Sequence, residues 1–154
     1  MASLTGYGIT VDVPAGWDAR IYARDGDDGD GDGTARAAMH AATFPLPDGR
    51  GDFGSGAVET MGRADVFVVL LEYDRSRADQ ALFTARCGPA PLDPGSFSPA
   101  ALQRARPGQA GAQSFFAASG RAFCLYAVIG RFADRDRLAA VVNQLVRTVR
   151  IEIA

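Results

Sequence analysis

The chain is predicted to fold as one α+β domain, an α/β sandwich in which a mainly antiparallel sheet is flanked by helices on both faces. Three observations predict it. Residues 65–73 (DVFVVLLEY) place Phe67, Val69, Leu71 and Tyr73 on one face of a strand and Val66, Val68 and Leu70 on the other. A strand apolar on both faces has to be central and covered on both sides. Residues 122–129 (AFCLYAVI) repeat that two-sided pattern. Near the end, Leu138, Val141, Val142, Leu145 and Val149 recur at helical spacing and give one apolar stripe that must lie on the sheet. With 154 residues, these elements fit a single domain, 1–154.

The other elements follow in order. Residues 8–13 (GITVDV) alternate and are β-branched, and Pro14-Ala15-Gly16 turns them into 17–24 (WDARIYAR), so an opening hairpin is expected. Residues 25–33 (DGDDGDGDG) contain only turn formers and read as a loop, after which 35–44 resume an extended pattern. Residues 45–53 are a Pro/Gly loop, and Ser55 suits the N-cap of a short helix 56–61 closed by Gly62. A short helix over 76–83 and a Pro-rich loop over 87–97 come next. Ser98-Pro99 supplies an N-cap and a first-turn proline for a helical start over 99–104. Residues 113–118 and 122–129 form a hairpin turning on Ser119-Gly120. Asp134 or Asp136 can cap the final helix, and Val149, Ile151 and Ile153 alternate as a last short strand.

This order, with Val13-Pro14-Ala15-Gly16-Trp17 at the start, a late hairpin on Ser119-Gly120-Arg121 and a terminal helix and strand over 136–151, resembles the PsbP-like fold. The resemblance spans nearly the whole chain, and both of its most specific pieces are structural. It implies an antiparallel sheet between helical layers and a role as a binding or assembly module. It carries over no catalytic residue.

Composition narrows the chemistry. All 16 basic residues are Arg, set against 15 Asp and 3 Glu, the bias of a GC-rich bacterial genome. Without lysine there is no Schiff-base amine, no P-loop phosphate clamp and no lysine general base. A net charge of −2, with arginines scattered along the chain, argues against nucleic acid as a partner. The first sixteen residues show neither a basic nor an apolar signal region, and the longest apolar run, 66–71, is too short to cross a bilayer. A cytoplasmic protein without membrane insertion is expected.

Asp28-x-Asp30-x-Asp32-Gly33 matches the first half of a calcium loop, where alternate carboxylates converge on a hard cation. The twelfth position, which should carry a bidentate Glu, is Met39, and Asp25 and Asp27 are the nearby carboxylates left to complete a site. The stretch reads either as a calcium site or as a solvated acidic turn. His40 is the only histidine and sits in an expected strand, so it is either a hydrogen-bonded core residue or the centre of a small active site. Cys124 reads as a small buried hydrophobe, and Cys87 as a loop thiol beside Arg86. The segment 86–113 reads as a strap over a sheet face or as a partner surface, with Phe97 and Leu102 as its anchors. In the adjacent pair Phe115-Phe116, one ring faces the core and Phe116 is a further candidate partner contact.

The expected function is therefore a non-enzymatic protein-interaction or assembly module of a bacterial complex, with a protein partner or self-association. A calcium-stabilised binding domain and a small enzyme centred on His40 are the alternatives.

Overall fold

The computed structural model describes residues 2–24, 36–48 and 56–153. Its strands form two antiparallel sheets. The smaller holds β1 (Ala2–Gly6), β2 (Ile9–Val13) and β8 (Arg150–Ile151) in the order β1-β2-β8. The larger holds β3 (Asp18–Ala23), β4 (Ala37–Ala42), β5 (Val66–Tyr73), β6 (Ala110–Ala118) and β7 (Arg121–Ile129) in the order β3-β4-β5-β7-β6. A short helix α1 (Ala81–Thr84) and a longer one α2 (Arg135–Val146) accompany them, with 3₁₀ turns at Ala57–Glu59, Arg75–Arg77, Pro94–Ser96, Pro99–Ala101 and Phe132–Asp134. The fold is α+β with mainly antiparallel sheet, as the sequence predicts.

The two-sided strands sit where their pattern requires. β5 is the middle strand of the larger sheet and β7 its neighbour, and both are buried on both faces. On one face, here face A, Met39, Val68, Leu70, Phe116, Phe123 and Leu125 meet Leu138, Val142 and Leu145 of α2 and Ile9 and Val11 of β2. On face B, Tyr22, Phe67, Val69, Leu71, Cys124 and Tyr126 are covered by Phe44, Leu46, Ala57, Val58, Met61 and Leu102. Face A thus carries the long helix and part of the smaller sheet, whereas face B is roofed by loops and short helical turns.

The opening segment departs from the expected hairpin. β2 pairs with β1, whose exposed ASLTG sequence carries little apolar signal, through a turn at Tyr7 and Gly8 with φ of 51° and 76°. Two residues at positive φ give a turn whose twist matches that of the strands it joins. The Pro14-Ala15-Gly16 turn, closed by the Trp17 N–H on the Pro14 carbonyl and with Gly16 at φ 85°, then sends the chain into the other sheet, where β3 pairs with β4.

The helical expectations are shortened. Ser55 lies outside the described residues, and residues 56–61 yield one 3₁₀ turn, Ala57–Glu59. Residues 76–83 divide into the turn Arg75–Arg77, capped by the Asp74 carboxylate on the Ser76 N–H, and α1. Ser98 does accept from the Ala100 N–H with Pro99 behind it, but the turn ends at Ala101 because Leu102 is extended. Asp134 occupies the N-cap of α2 without a side-chain capping bond, since the preceding 3₁₀ turn runs directly into the helix.

The final strand is shorter than 149–153 and is held by a charge pair. Arg150 Nη2 and Nη1 donate to Asp12 Oδ1 and Oδ2 at 3.2 and 3.3 Å, across the β2–β8 ladder. The Arg150 hydrogen bond holds the Asp12 carboxyl below its ordinary value of 3.8. A folded-state value lowered in this way contributes stability that is complete above the unfolded value and lost as pH falls through the folded one. Below pH 3.8, acid unfolding of Asp12→Asn is therefore expected to be shallower than that of the native chain, and melting temperatures followed from pH 5 to pH 2 check it.

Candidate functional site

The segment after α1 wraps the edge of the larger sheet, and β6 is that edge. α1 lies on face B, where Phe83 meets Tyr73 and Phe115 at ring distances of 5.5 and 5.8 Å. The chain then crosses the edge at Ala117, whose N–H donates to the Arg86 carbonyl (3.2 Å) and whose carbonyl accepts from the Gly88 N–H (2.9 Å). On face A it brings Leu92 and Phe97 into the core, and Asn143 of α2 clamps both Leu92 backbone groups, Oδ1 accepting at 2.8 Å and Nδ2 donating at 2.9 Å. It recrosses at Gly111, where Ser98 and Gly111 exchange both backbone hydrogen bonds at 2.9 and 3.0 Å. Pro99–Ala101 then returns to face B, its Ala101 carbonyl only 2.9 Å from where a Cβ on Gly111 would stand. Glycine at 111 is what permits that approach.

Between the two crossings the edge is open. The β6–β7 hairpin turns on two residues, Ser119 and Gly120, at φ 53° and 74°, so Ala118 and Arg121 form a hydrogen-bonded pair and alternate residues of β6 follow suit. Ser114 and Phe116 therefore point their backbone groups at β7, while Gly111, Gln113, Phe115 and Ala117 point theirs outward. Gly111 and Ala117 are the two that the strap pairs. For Gln113 and Phe115 no partner stands opposite among the described residues. Their two N–H and two C=O groups face a cavity of about 500 Å³ between α1 and the strap, with Leu82, Arg86, Asp93 and Ser96 in its walls. That size falls within the range of ligand pockets. Leu82 is 56% exposed, and the Arg86 guanidinium has no hydrogen bond or ion pair among the described residues.

Several other polar groups of the interior are engaged in structure. His40 is 1% exposed, with Nε2 3.0 Å from the Tyr22 hydroxyl and its ring edge-on to Phe67 at 5.6 Å. That is the setting of a hydrogen-bonded core histidine. Burial pushes the Cys124 thiol up to about 11, so it stays protonated at neutral pH, and Cys87 is exposed. Burial also raises Tyr126, whose hydroxyl accepts the Gln103 N–H at 2.9 Å and so anchors the face B roof. On face A, Arg121 and Glu72 are each 1% exposed and doubly hydrogen-bonded, Nε to Oε2 at 2.8 Å and Nη2 to Oε1 at 2.9 Å. The same guanidinium donates to the Tyr7 and Glu152 carbonyls at 2.8 and 2.9 Å, and Glu72 Oε1 accepts the Ala37 N–H at 3.0 Å. One buried pair thus ties the two sheets together.

No protein-family model, curated protein or solved structure matches this chain. The site has to be read from its own geometry. The calcium candidates Asp28, Asp30 and Asp32 lie outside the described residues, and no group of three metal-binding side chains occurs among the described ones. No described helix is long and apolar enough to cross a membrane. Of the partner candidates, Phe97 (3% exposed) and Phe116 (0%) are core residues of face A, Phe116 stacked on Phe123 at 5.4 Å. The strap carries Phe97 inward when it crosses the edge, so neither ring reaches the surface. Leu102 is half-buried over face B. The sequence points to the segment 86–113 and to the Phe115-Phe116 pair, but within them it singles out Phe97, Leu102 and Phe116 rather than Arg86, Gln113 and Phe115. The legible signal was Gln113-Ser114, two consecutive polar residues interrupting the small and apolar strand AGAQSFFAA, which mark a strand with an uncovered margin.

Proposed function

We propose that the protein is a non-enzymatic interaction module that takes up an extended polypeptide segment on the open stretch of β6. The observation that carries this reading is the pair of outward-facing residues Gln113 and Phe115, whose backbone groups front a cavity rather than a neighbouring strand. Exposed strand edges recruit further strands, and proteins ordinarily cover them. Here the strap covers the edge at Gly111 and Ala117 and stops short of the residues between. Addition of a strand supplies affinity through main-chain hydrogen bonds and selectivity through the side-chain walls. The resemblance of residues 13–17 and of the terminal helix and strand to PsbP-like binding modules supports the same reading.

The register supplies a clean test. The Gln113 N–H points outward, so Gln113→Pro removes one cavity donor without breaking the ladder to β7, a placement proline tolerates on an edge strand. The native protein is expected to retain a subset of an array of random hexapeptides. Gln113→Pro is expected to bind these at least about tenfold more weakly, from one lost hydrogen bond and the obstructing ring. Gln113→Ala, which keeps the N–H, is expected to bind them normally, with all three proteins melting within a few degrees. Equal binding by the proline variant, or no binding by the native chain, overturns the reading.

A further inference from the structure

The stretch available for pairing is short and closed at both ends. A strand lying beside Gln113 and Phe115 meets the Ser98–Gly111 pair at one end and the Arg86–Ala117–Gly88 pairing at the other. At about 3.3 Å per residue, residues 112–116 accommodate roughly three residues of a partner before strap backbone blocks its path. A longer strand has to leave the edge there, whereas a chain end does not. The end defined by Ala117 is also where Arg86 stands, with no hydrogen bond or ion pair on its guanidinium among the described residues. Asp93, the acidic residue in the cavity wall, already accepts the Gly95 N–H at 2.8 Å and caps its own turn. On the face B side, Leu82 and Phe115 offer apolar surface beside the edge.

We infer that the segment taken up is the C-terminus of a partner polypeptide, running parallel to β6, with its terminal carboxylate on Arg86 and an apolar side chain among its last residues covering Leu82. The inference rests on the edge-pairing reading and adds to it the polarity and charge of the occupant. Arginine matches a carboxylate in charge and in fork geometry, and the parallel direction is set by which blocked end carries the cation.

The test uses the full chain and hexapeptides selected from a random array displayed with free C-termini. Each is compared as the free acid, as the C-terminal amide, and with two residues added beyond the original end. The free acid is expected to bind about fivefold or more tightly than the other two forms at low salt, and Arg86→Gln is expected to erase the difference between acid and amide. Equal binding of acid and amide, still abolished by Gln113→Pro, overturns the assignment of the carboxylate and leaves edge pairing in place. Binding that survives Gln113→Pro, or none in any form, overturns both.

Discussion

Replacing Arg121 by methionine is expected to destabilise the protein by about 3–5 kcal/mol, because it leaves the buried Glu72 carboxylate without the guanidinium that holds both of its oxygens. Arg75 stands 3.9 Å away and is a poor substitute, being partly solvated. The loss is not confined to the ion pair. Arg121 also satisfies the Tyr7 and Glu152 carbonyls, so its removal loosens the β1–β2 turn and the residue following β8 together. Gly8 lies against this guanidinium, with Arg121 Nη1 2.6 Å from where its Cβ would be, so the turn and the buried charge are packed as one unit. The double substitution Arg121→Met with Glu72→Met is expected to recover part of the stability, since removing both charges abolishes the unpaired buried group. Urea unfolding of the two variants measures this, and an Arg121→Met penalty below about 1 kcal/mol contradicts the role given to the pair.

The second large effect is expected at Gly130, just after β7. A Cβ there would overlap the Gly62 carbonyl oxygen, far inside van der Waals contact, and would stand 3.0 Å from the Arg63 carbonyl group. The backbone at 62–63 cannot retreat freely, because Asp65 holds it: its side chain accepts the Gly62 N–H at 2.8 Å, its N–H donates to the Gly62 carbonyl, and its carbonyl accepts the Gly130 N–H at 2.9 Å. Gly130→Ala is expected to cost at least about 3 kcal/mol, at or beyond the upper end for overpacking. Gly120→Ala is the control. That glycine has φ 74° with nothing within 4 Å of an added Cβ, so its cost is conformational alone, about 1 kcal/mol. Thermal melts read the contrast, with each kcal/mol worth about 2–4 °C at this chain length. Equal melting temperatures would contradict the close approach at Gly130.

How much of this was legible in the sequence depends on how local each signal is. The two-sided strands β5 and β7, the Ser119-Gly120 hairpin and the stripe of α2 were legible because alternation, turn chemistry and helical spacing act over a few residues. The pairing of β2 with β1 and β8 was not, since β1 is a polar exposed strand and the Pro14-Ala15-Gly16 turn can either close a hairpin or redirect the chain. Phe97 shows the limit most plainly. An aromatic in a Pro-rich strap has the same composition whether it faces a partner or the core, and only the double crossing of the edge at Ala117 and Gly111 decides it. The pairing of Glu72 with Arg121 carries no local signal either, because their separation of 49 residues conceals a neighbour relation that only the β5–β7 register makes. The open stretch of β6 is of the same kind: Gln113 and Phe115 are unexceptional residues whose backbone direction is fixed by hairpin phase.

Amide hydrogen exchange along β6 tests the central claim most directly. Ser114 and Phe116, bonded into the ladder with β7, and Gly111 and Ala117, bonded to the strap, are expected to exchange slowly. Gln113 and Phe115 are expected to exchange fast in the free protein and to become protected when a retained hexapeptide is added. Slow exchange at Gln113 and Phe115 in the free protein, equal to that of their neighbours, would mean that the edge is already closed and would contradict the account.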